Sequence, residues 1–296
     1  MIPRQTQQMQ QNQQATVRHL GQPLRICQVN VEGMSRAKGE FLARFLAEKN
    51  LNVALVQETH TATLEQLLSR GTIAGFDLIA AEYSRAHGIA TYVKSGTENV
   101  QVIESSSAND TYVNTIRVGS TSITNVYKAP NAQWSPTVLN LQPHPALYAG
   151  DFNSHHSEWG YRNDDTNGES LVDWAIMCEL HLVHDAKDQP TFHSRAHNTE
   201  SNPDLCFVST DSEGIPIHVT REVSPLFPNS QHRPIILEVG NSIPIITSVP
   251  LIQLRNVCRA DTERNISPAG MRIRITCTLS SKSTKTLKRR KSYWRR

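Results

Sequence analysis

The chain has 296 residues, of which 38% are hydrophobic and 19% are charged. This length is enough for one large domain or two small ones with a substantial buried core. No apolar run approaches the roughly 20 residues that a membrane-spanning helix needs. The glutamine-rich N-terminus also lacks the apolar stretch of a secretory signal peptide, so we expect a globular protein that does not enter a membrane.

The cysteines indicate the redox setting. There are five, none in a CxxC pair and no two at the spacing of zinc ligands: Cys27, Cys178, Cys206, Cys258 and Cys277. An odd, scattered set in a chain of this length favours reduced thiols and an intracellular protein, and it does not favour a zinc site.

The net charge of +3 is divided unevenly along the chain. Arg264–Arg296 holds 11 Lys and Arg residues and no Asp or Glu, which leaves 19 basic and 27 acidic residues in Met1–Glu263. An acidic body is not typical of proteins that bind nucleic acid by general charge attraction alone. It fits a body that clusters carboxylates around a cation.

Secondary-structure signals divide the chain into three parts. Residues 1–23 are low-complexity and are expected to be disordered. Residues 24–240 alternate between strand-like and helix-like segments, which predicts an α/β domain with mixed sheets. Beyond Gly240 the pattern degrades, so residues 241–296 are expected to be a basic, poorly ordered tail.

Within the middle part, apolar periodicity predicts the elements in chain order. Helices are expected at Ser35–Ala47, at Leu64–Leu68 after a Thr63 cap, and at Ser170–Leu180. Strands are expected at Arg25–Val29, Val53–Val56, Ile89–Val93, Val100–Ile103, Tyr112–Val118, Ser122–Tyr127, Ala146–Ala149, Leu205–Val208 and Ile235–Val239.

The clearest local signal is the segment 150–156, which reads GDFNSHH. A short apolar strand runs into a glycine, and carboxylate, amide and imidazole side chains follow. Catalytic and ligand-binding groups commonly lie at such strand ends. Gly-Asp and Asn-Ser are also ordinary turn formers, so this segment alone supports a functional strand end and a simple turn about equally.

Other polar residues lie in comparable positions beside apolar strands. Each could be a loop residue when taken alone, but their recurrence favours one shared site. In chain order they are Asn30, Glu58, Tyr127, Asp151 with Asn153, Asp204 and His232.

These segments resemble the endonuclease/exonuclease/phosphatase superfamily. The resemblance covers about Leu24 to Val239 and keeps the motif order of the apurinic-type endonuclease of jockey-like non-LTR retrotransposons. GDFN and QETH are the more specific motifs, and residues 153–161 and 192–194 favour the retrotransposon subfamily. The motifs are QVNVEG at 28–33, QETH at 57–60, VYKAP at 126–130, GDFNSHH at 150–156, PDL at 203–205 and SQHRP at 230–234.

The resemblance implies a four-layer sandwich of two packed mixed β-sheets flanked by helices. It implies that Glu58 ligates Mg²⁺ or Mn²⁺, hard cations that take carboxylate oxygens, and that Asn30 helps to hold this metal site. Asp151 would orient or deprotonate the attacking water. No small organic cofactor is implied.

The remaining implied roles concern the phosphate. Asn153 and Tyr127 would hydrogen-bond it, and His232 would stabilise the negative charge that develops on its oxygens. Asp204 would orient the imidazole of His232 and favour its charged form. The implied reaction is in-line attack of water on a DNA phosphodiester, assisted by the metal as a Lewis acid and leaving a nick.

Two positions depart from the family pattern. The family has Ser-Asp-His before the histidine, whereas this chain has Ser230-Gln231-His232. Glutamine is a poor Mg²⁺ ligand, so weaker cation binding or turnover is expected. Many relatives have an asparagine where this chain has Glu32, which we interpret as a solvated loop residue without a catalytic role.

Three hypotheses for function are therefore open. The first is an active, metal-dependent DNA endonuclease, and the second is a catalytically decayed remnant that binds nucleic acid or a protein partner. The third is an RNA deadenylase or a phosphatase of the same fold. We expect a monomer that acts on DNA, in the nucleus or otherwise in the cytoplasm. The DNA target depends on loop shapes that the sequence does not reveal.

Some further residues have open interpretations. His155 and His156 could ligate a metal, but adjacent side chains in an extended segment point to opposite sides, which favours shaping of the site or contact with DNA. Trp134 and Trp159 could stack on nucleotides or lie in the core or at its rim. The basic run 288–291 could contact phosphates, act as a nuclear import signal or be a solvated tail.

Overall fold

A computed structural model of the chain describes residues 23–135, 139–225 and 227–240. The predictions for the N-terminal segment 1–23, apart from Pro23, and for the tail 241–296 with its basic run lie outside the described residues. Among the described helices, none has the length and apolar character needed to cross a membrane.

The described residues form three α-helices and fourteen β-strands. The helices are α1 (Arg36–Glu48), α2 (Leu64–Gly71) and α3 (Thr166–Met177). The strands of the first half are β1 (Leu24–Asn30), β2 (Val53–Gln57), β3 (Phe76–Glu82), β4 (Ile89–Lys94), β5 (Val100–Ala108), β6 (Thr111–Val118) and β7 (Thr121–Lys128). Those of the second half are β8 (Ala146–Asp151), β9 (Leu180–Leu182), β10 (Phe192–Ser194), β11 (Thr199–Ser201), β12 (Asp204–Ser209), β13 (Val219–Val223) and β14 (Ile235–Val239).

The strands assemble into two large sheets and one small hairpin. The first sheet has the order β13-β14-β1-β2-β4-β3, the second has the order β5-β6-β7-β8-β12-β9, and β10 pairs with β11. Each large sheet has one parallel pair among its described strands, β1 with β2 and β7 with β8. The sheets are therefore mixed, as the sequence predicts.

Three buried apolar clusters define four layers. Leu42 and Leu46 of α1 pack with Val29 and Val56 on the outer face of the first sheet. Leu171 and Trp174 of α3 pack on the outer face of the second sheet. The third cluster lies between the sheets and joins side chains such as Ile26, Leu55, Ile123, Leu147 and Cys206. Helix, sheet, sheet and helix thus form the predicted four-layer sandwich.

Strand alternation places the polar residues of the site on the face between the sheets. Successive side chains of a strand point to opposite faces, so every second residue shares the inner face. In each central strand this inner row is apolar at one end and polar at the other. The rows are Ile26, Gln28 and Asn30; Val53, Leu55 and Gln57; Ile123, Asn125 and Tyr127; Leu147, Ala149 and Asp151; and Val208, Cys206 and Asp204.

The two parallel pairs bring these polar ends to one edge of the sandwich. Asn30 is the register partner of Gln57, and Tyr127 is the partner of Asp151. Asp204 begins β12 opposite Asp151 in the antiparallel direction. The site therefore forms where the carboxyl ends of parallel strands meet, which is the usual position in mixed sheets.

The helices deviate from prediction mainly at their ends. Helix α3 begins at Thr166 and not at Ser170, because the Asp165 side chain caps it by accepting from the Gly168 amide at 2.6 Å. Thr63 caps α2 as predicted, but the Gln66 side chain accepts from the Ala62 amide, so the capping box is shifted by one residue.

Five strands were not predicted. Four of them, β3, β13, β10 and β11, are edge strands or hairpin strands, each of which pairs with only one other strand. Apolar and polar residues therefore alternate only weakly in their sequences. β9 is a further short edge strand of only three residues. The missed strands are β3, β9, β10, β11 and β13.

Candidate active site

Asn30 joins the two carboxylates at the centre of the site. Its Nδ2 atom donates to Oε1 of Glu58 at 3.0 Å and to Oδ2 of Asp151 at 2.8 Å. Asn30 and Asp151 are fully buried, and their strands belong to different sheets. One amide therefore fixes the spacing of two negative groups across the sandwich.

Glu58 follows β2 in a left-handed backbone conformation, with φ 52°. The Tyr127 hydroxyl donates to its Oε1 atom at 3.0 Å, and Nε2 of His60 lies 3.2 Å from Oε2. Partial burial alone would raise the pKa of Glu58, but hydrogen bonds from His60, Asn30 and Tyr127 outweigh it and lower the pKa to about 2. The group is thus a carboxylate throughout the physiological range.

His232 and Asp204 form the second half of the site. Nδ1 of His232 lies 2.9 Å from Oδ2 of Asp204, and its Nε2 lies 3.9 Å from Oδ2 of Asp151. Burial would lower the pKa of His232, but the charge and hydrogen bond of Asp204 and the charge of Asp151 raise it to about 9. The imidazole is therefore held as a cation that faces Asp151.

Asp151 has the opposite character to Glu58. Burial and the charge of Asp204 raise the pKa of Asp151 to about 7, against the favourable charge of His232. A carboxyl group with a pKa near neutrality can accept and release a proton at physiological pH. The two central carboxylates thus differ: Glu58 is permanently ionised and Asp151 is poised to exchange a proton.

The GDFN segment is a strand end and not a simple turn. The Gly150 backbone lies so close to β7 that an added Cβ atom would lie 1.8 Å from the Val126 carbonyl oxygen. Asn153, at φ 42°, donates its backbone amide to Asp151 Oδ1 at 3.1 Å and its side-chain amide to the Lys128 carbonyl at 3.0 Å. The close approach and the Asn153 turn together fix the direction of the Asp151 carboxylate.

A chain of buried amides lies beneath the site and was not predicted. Gln28 donates to Asp204 Oδ1 and to Gln57 Oε1, each at 2.9 Å, and Gln57 donates to Asn125 at 2.7 Å. These side chains connect the two sheets within the core. The only sequence signal was an amide in the middle of otherwise apolar strands, which periodicity alone does not distinguish from an exposed position.

Three further residues support the site and were also missed. Nδ1 of His87 lies 3.2 Å from the Tyr127 hydroxyl. The buried Lys38 amine binds the carbonyls of Glu32 and Gly33 and so holds the loop after β1. Ser230 donates to the Asn30 carbonyl at 2.8 Å. Their partners are distant in sequence or are backbone atoms, so no residue pattern indicates them.

The two departures from the family pattern contact each other. Both oxygens of Glu32 accept from Gln231, one from its backbone amide at 3.0 Å and one from its side chain at 2.9 Å. The interpretation of Glu32 as a solvated loop residue was therefore wrong, because its carboxylate is half-buried and fully engaged. Gln231 faces Glu32 and not the Asn30–Glu58 pair.

The remaining candidates, two histidines and two tryptophans, contact other residues. His155 is exposed and stacks on Tyr161, with ring centroids 4.2 Å apart, while His156 caps the 3-10 turn Ser157–Trp159. Neither contributes to a cluster of potential metal ligands in the described part of the chain. Trp134 and Trp159 are buried in the core around α3, so neither presents a ring for stacking.

Two groups of side chains could hold a metal ion. Asp151, Asp204 and His232 have ligand atoms within 4.8 Å of one another. However, both oxygens of Asp204 are already engaged by Gln28 and His232. Glu58 is the better candidate, because it is an ionised carboxylate whose side chain remains 19% exposed. Mg²⁺ and Mn²⁺ prefer such an oxygen together with several waters.

An open depression lies elsewhere on the surface. It is lined by Asn99, Arg117 and Ser120, at the opposite end of the second sheet from Asp151. Its lining contains no carboxylate or imidazole. A concave shape without a carboxylate or an imidazole does not indicate catalysis, so we place the site at the polar strand ends.

Comparisons with known proteins give a family-model match and two fold matches. Residues 121–236 match a protein-family model described as "Endonuclease-reverse transcriptase". The solved endonuclease domain of TRAS1, a telomere-specific non-LTR retrotransposon, matches with a TM-score of 0.54 at 20% identity, over 74% of this chain and 98% of that one. A mannosyl-6-phosphatase of Bacteroides thetaiotaomicron matches with a TM-score of 0.50 at 14% identity, over 73% of this chain and 99% of that one. A search of curated proteins found no match.

The matched range includes four of the buried site residues, Tyr127, Asp151, Asp204 and His232. The fold match to the TRAS1 domain covers 74% of this chain, more than the family-model match does. The sandwich fold includes β1, which carries Asn30, and β2, which leads to Glu58. Residues 121–236 are therefore similar to an endonuclease–reverse transcriptase family, and the described residues share the fold of the TRAS1 endonuclease domain and of the phosphatase.

Proposed function

We propose that this protein is a divalent-metal-dependent endonuclease that hydrolyses phosphodiester bonds of DNA and leaves a nick in one strand. The observation that carries the proposal is the pairing of an ionised Glu58 with a proton-exchanging Asp151 through the single amide of Asn30. The charged imidazole of His232 also faces Asp151, with its Nε2 atom 3.9 Å from Oδ2 of that carboxyl group.

Glu58 would hold the Mg²⁺ or Mn²⁺ ion, with Asn30 orienting its carboxylate. The residues fit such an ion, because Glu58 is ionised and partly exposed, accepts hydrogen bonds from Asn30 and Tyr127, and lies 3.2 Å from Nε2 of His60. When bound, the cation would supply Lewis-acid stabilisation of the phosphoryl oxygens. Asn30 itself keeps its amide nitrogen toward the carboxylates, so its role is to position them.

Asp151 would accept the proton of the attacking water. Its elevated pKa suits it to general-base catalysis near neutral pH, provided that the group is deprotonated when substrate binds. The imidazolium of His232 would stabilise the negative charge that develops on the phosphate, and Asp204 would keep it protonated and oriented. Tyr127 and Asn153 flank Asp151 and would hydrogen-bond the phosphate.

Three observations support DNA as the proposed substrate. The family-model match has the endonuclease of reverse-transcriptase elements in its description, and the TRAS1 domain is an endonuclease of a non-LTR retrotransposon. The QETH and GDFNSHH motifs favour the same class. We therefore propose a retrotransposon-type nicking activity, exerted by a monomer in the nucleus.

A plasmid assay tests this function. Supercoiled plasmid is incubated with the purified full chain in Mg²⁺, in Mn²⁺ and in EDTA, alongside the variants Glu58→Gln and Asp151→Asn. Metal-dependent conversion to the open circle that is lost in both variants is the expected result. Turnover of oligoadenylate or of phosphomonoesters without plasmid nicking would instead indicate a deadenylase or a phosphatase. Inactivity on all substrates, reversed by Gln231→Asp, would identify a decayed enzyme.

A further inference from the structure

The carboxylate of Glu32 is attached to the segment that carries His232. Its Oε2 atom accepts from the Gln231 backbone amide at 3.0 Å, and its Oε1 atom accepts from the Gln231 side chain at 2.9 Å. Gln231 is the residue immediately before His232. Glu32 thus binds the same short segment that supplies the imidazole of the site.

Glu32 itself is held rigidly. Its backbone has φ 46°, a left-handed conformation, and its amide donates to Asn30 Oδ1 at 2.9 Å. Lys38 binds the carbonyls of Glu32 and Gly33 at 3.2 and 3.0 Å. Because the loop is restrained from both sides, the Glu32 carboxylate is a fixed anchor and not a mobile surface group.

The side-chain amide of Gln231 both donates and accepts a hydrogen bond. The side-chain nitrogen donates to Glu32, and Oε1 accepts from the Arg195 backbone amide at 2.9 Å. The Gln231 carbonyl also accepts from the His193 amide at 2.9 Å. Gln231 therefore links the loop after β1 to the β10–β11 hairpin, whose Phe192 ring packs on His232 with centroids 4.8 Å apart.

The chemistry of the contact requires one acid and one amide. An aspartate or glutamate at 231 would place a second carboxylate against Glu32 with no side-chain donor between them, which is unfavourable. An amide at both positions would oppose donor to donor at one of the contacts, because Gln231 must also accept from Arg195. Glu32 and Gln231 are therefore a matched pair.

We propose that Glu32 is a positioning residue of the active site, which acts through Gln231 to hold His232 beside Asp204 and Asp151. The glutamine at 231 is then an adaptation to Glu32 and not a sign of decay. This inference rests on the proposed function, because it assigns a catalytic purpose to the orientation of His232.

Exchanging the pair tests the proposal. Glu32→Gln and Gln231→Glu each break one of the hydrogen bonds. The double variant restores all of them, with donor and acceptor reversed in the bond between the two side chains and the backbone amides of residues 231 and 195 still donating. We expect each single variant of the full chain to lower kcat for plasmid nicking about tenfold or more, as is typical for residues that orient catalytic groups. The double variant should return to within about threefold of the wild-type kcat, and Glu40→Gln, on an exposed face of α1, should have no effect.

Two results would overturn the proposal. Full activity in both single variants would remove any role for the contact. A raised Mg²⁺ requirement in Glu32→Gln that the double variant does not rescue would make Glu32 a metal ligand instead. The expected pattern is an unchanged KM for DNA and an unchanged Mg²⁺ requirement, with the whole effect in kcat.

A spectroscopic measurement separates this inference from the proposed function. The ¹⁵N signals of the His232 imidazole, assigned by their loss in His232→Asn, should shift in both single variants and return in the double variant. This outcome does not depend on turnover, so it can be read even if the wild type does not nick DNA. Imidazole signals that stay in place in the single variants would reject the positioning role.

Discussion

Nδ1 of His232 lies 2.9 Å from Oδ2 of Asp204, and Gln28 donates to the other oxygen of the same carboxylate at the same distance. Both members of the pair are buried. Asp204 can therefore neither rotate nor gain water as a substitute partner. The charge state of the imidazole is controlled by one fixed carboxylate, which can be removed by a nearly isosteric change.

Asp204→Asn should shift the pH dependence of nicking to lower pH. The wild-type rate is expected to rise as Asp151 loses its proton, with a pKa of about 7, and to fall as His232 loses its own, with a pKa of about 9. The charge of Asp204 raises both pKa values, so both limbs of the profile should move down, by about one pH unit or more. The measurement is kcat/KM for plasmid nicking from pH 5.5 to 10.

Asp173→Asn is the matched control for that profile. Asp173 is an exposed residue of α3. If Asp204→Asn lowers the maximum kcat/KM but leaves both apparent pKa values of the pH profile unchanged, the aspartate orients the imidazole without controlling its charge.

Glu58→Gln should abolish the metal response. The substitution keeps the size of the side chain but removes the ionised oxygen that would face the cation, so we expect activity to fall about 100-fold or more. Titration of Mg²⁺ and Mn²⁺ in the nicking assay measures the effect, and the control is Glu40→Gln. If Glu58→Gln keeps wild-type activity, Glu58 does not hold the ion, and Asp151, Asp204 and His232 would be its ligands instead.

Tyr127→Phe should weaken catalysis through the loss of one hydroxyl. That hydroxyl donates to Glu58 at 3.0 Å and lies 3.2 Å from His87, so its removal leaves the carboxylate with one donor fewer. We expect kcat/KM to fall about tenfold to 100-fold. Tyr112→Phe, which changes the register partner of Tyr127 on β6, is the control. Equal losses in the two variants would argue against a specific role for the Tyr127 hydroxyl.

Gly150→Ala should destabilise the whole domain. The new methyl group would lie 1.8 Å from the Val126 carbonyl oxygen, and backbone atoms cannot rotate away. We expect the free energy of unfolding in urea to fall by about 3 kcal/mol or more. Gly96→Ala is the control, since its added Cβ would meet no atom within 4 Å and only its φ of 80° opposes the change. Its cost should be about 1 kcal/mol.

The sequence was sufficient to predict the central strands and the residues at their ends. Val53–Val56 and Ala146–Ala149 are short apolar runs that lead into Gln57-Glu58 and Gly150-Asp151, so their role could be inferred from order alone. The structure brings Asn30, Glu58 and Asp151 together as that inference requires. The catalytic roles themselves stay predictions until the assays are done.

The side-chain hydrogen bonds that the sequence could not predict join residues that lie far apart along the chain. Gln28 and Asp204 are 176 residues apart, and Glu32 and Gln231 are 199 apart, so no local pattern relates them. Each of these residues has an ordinary interpretation by itself, as a strand amide or as a loop carboxylate. Only the packing of two sheets shows that their hydrogen bonds are mutual.

The parallel pairs β1–β2 and β7–β8 have a consequence for engineering. The central acids and Asn30 are carried by strand ends and buried amides. The β10–β11 hairpin attaches to this frame through hydrogen bonds to Gln231 and Ser230, the Glu200–Arg233 ion pair and the packing of Phe192 on His232. Segments exposed around the rim could therefore be exchanged between relatives while the hydrolytic centre stays intact. A chimaera that keeps Glu32 with Gln231 and replaces the tip of the β10–β11 hairpin would test whether the cleavage site can change while the rate of hydrolysis is kept.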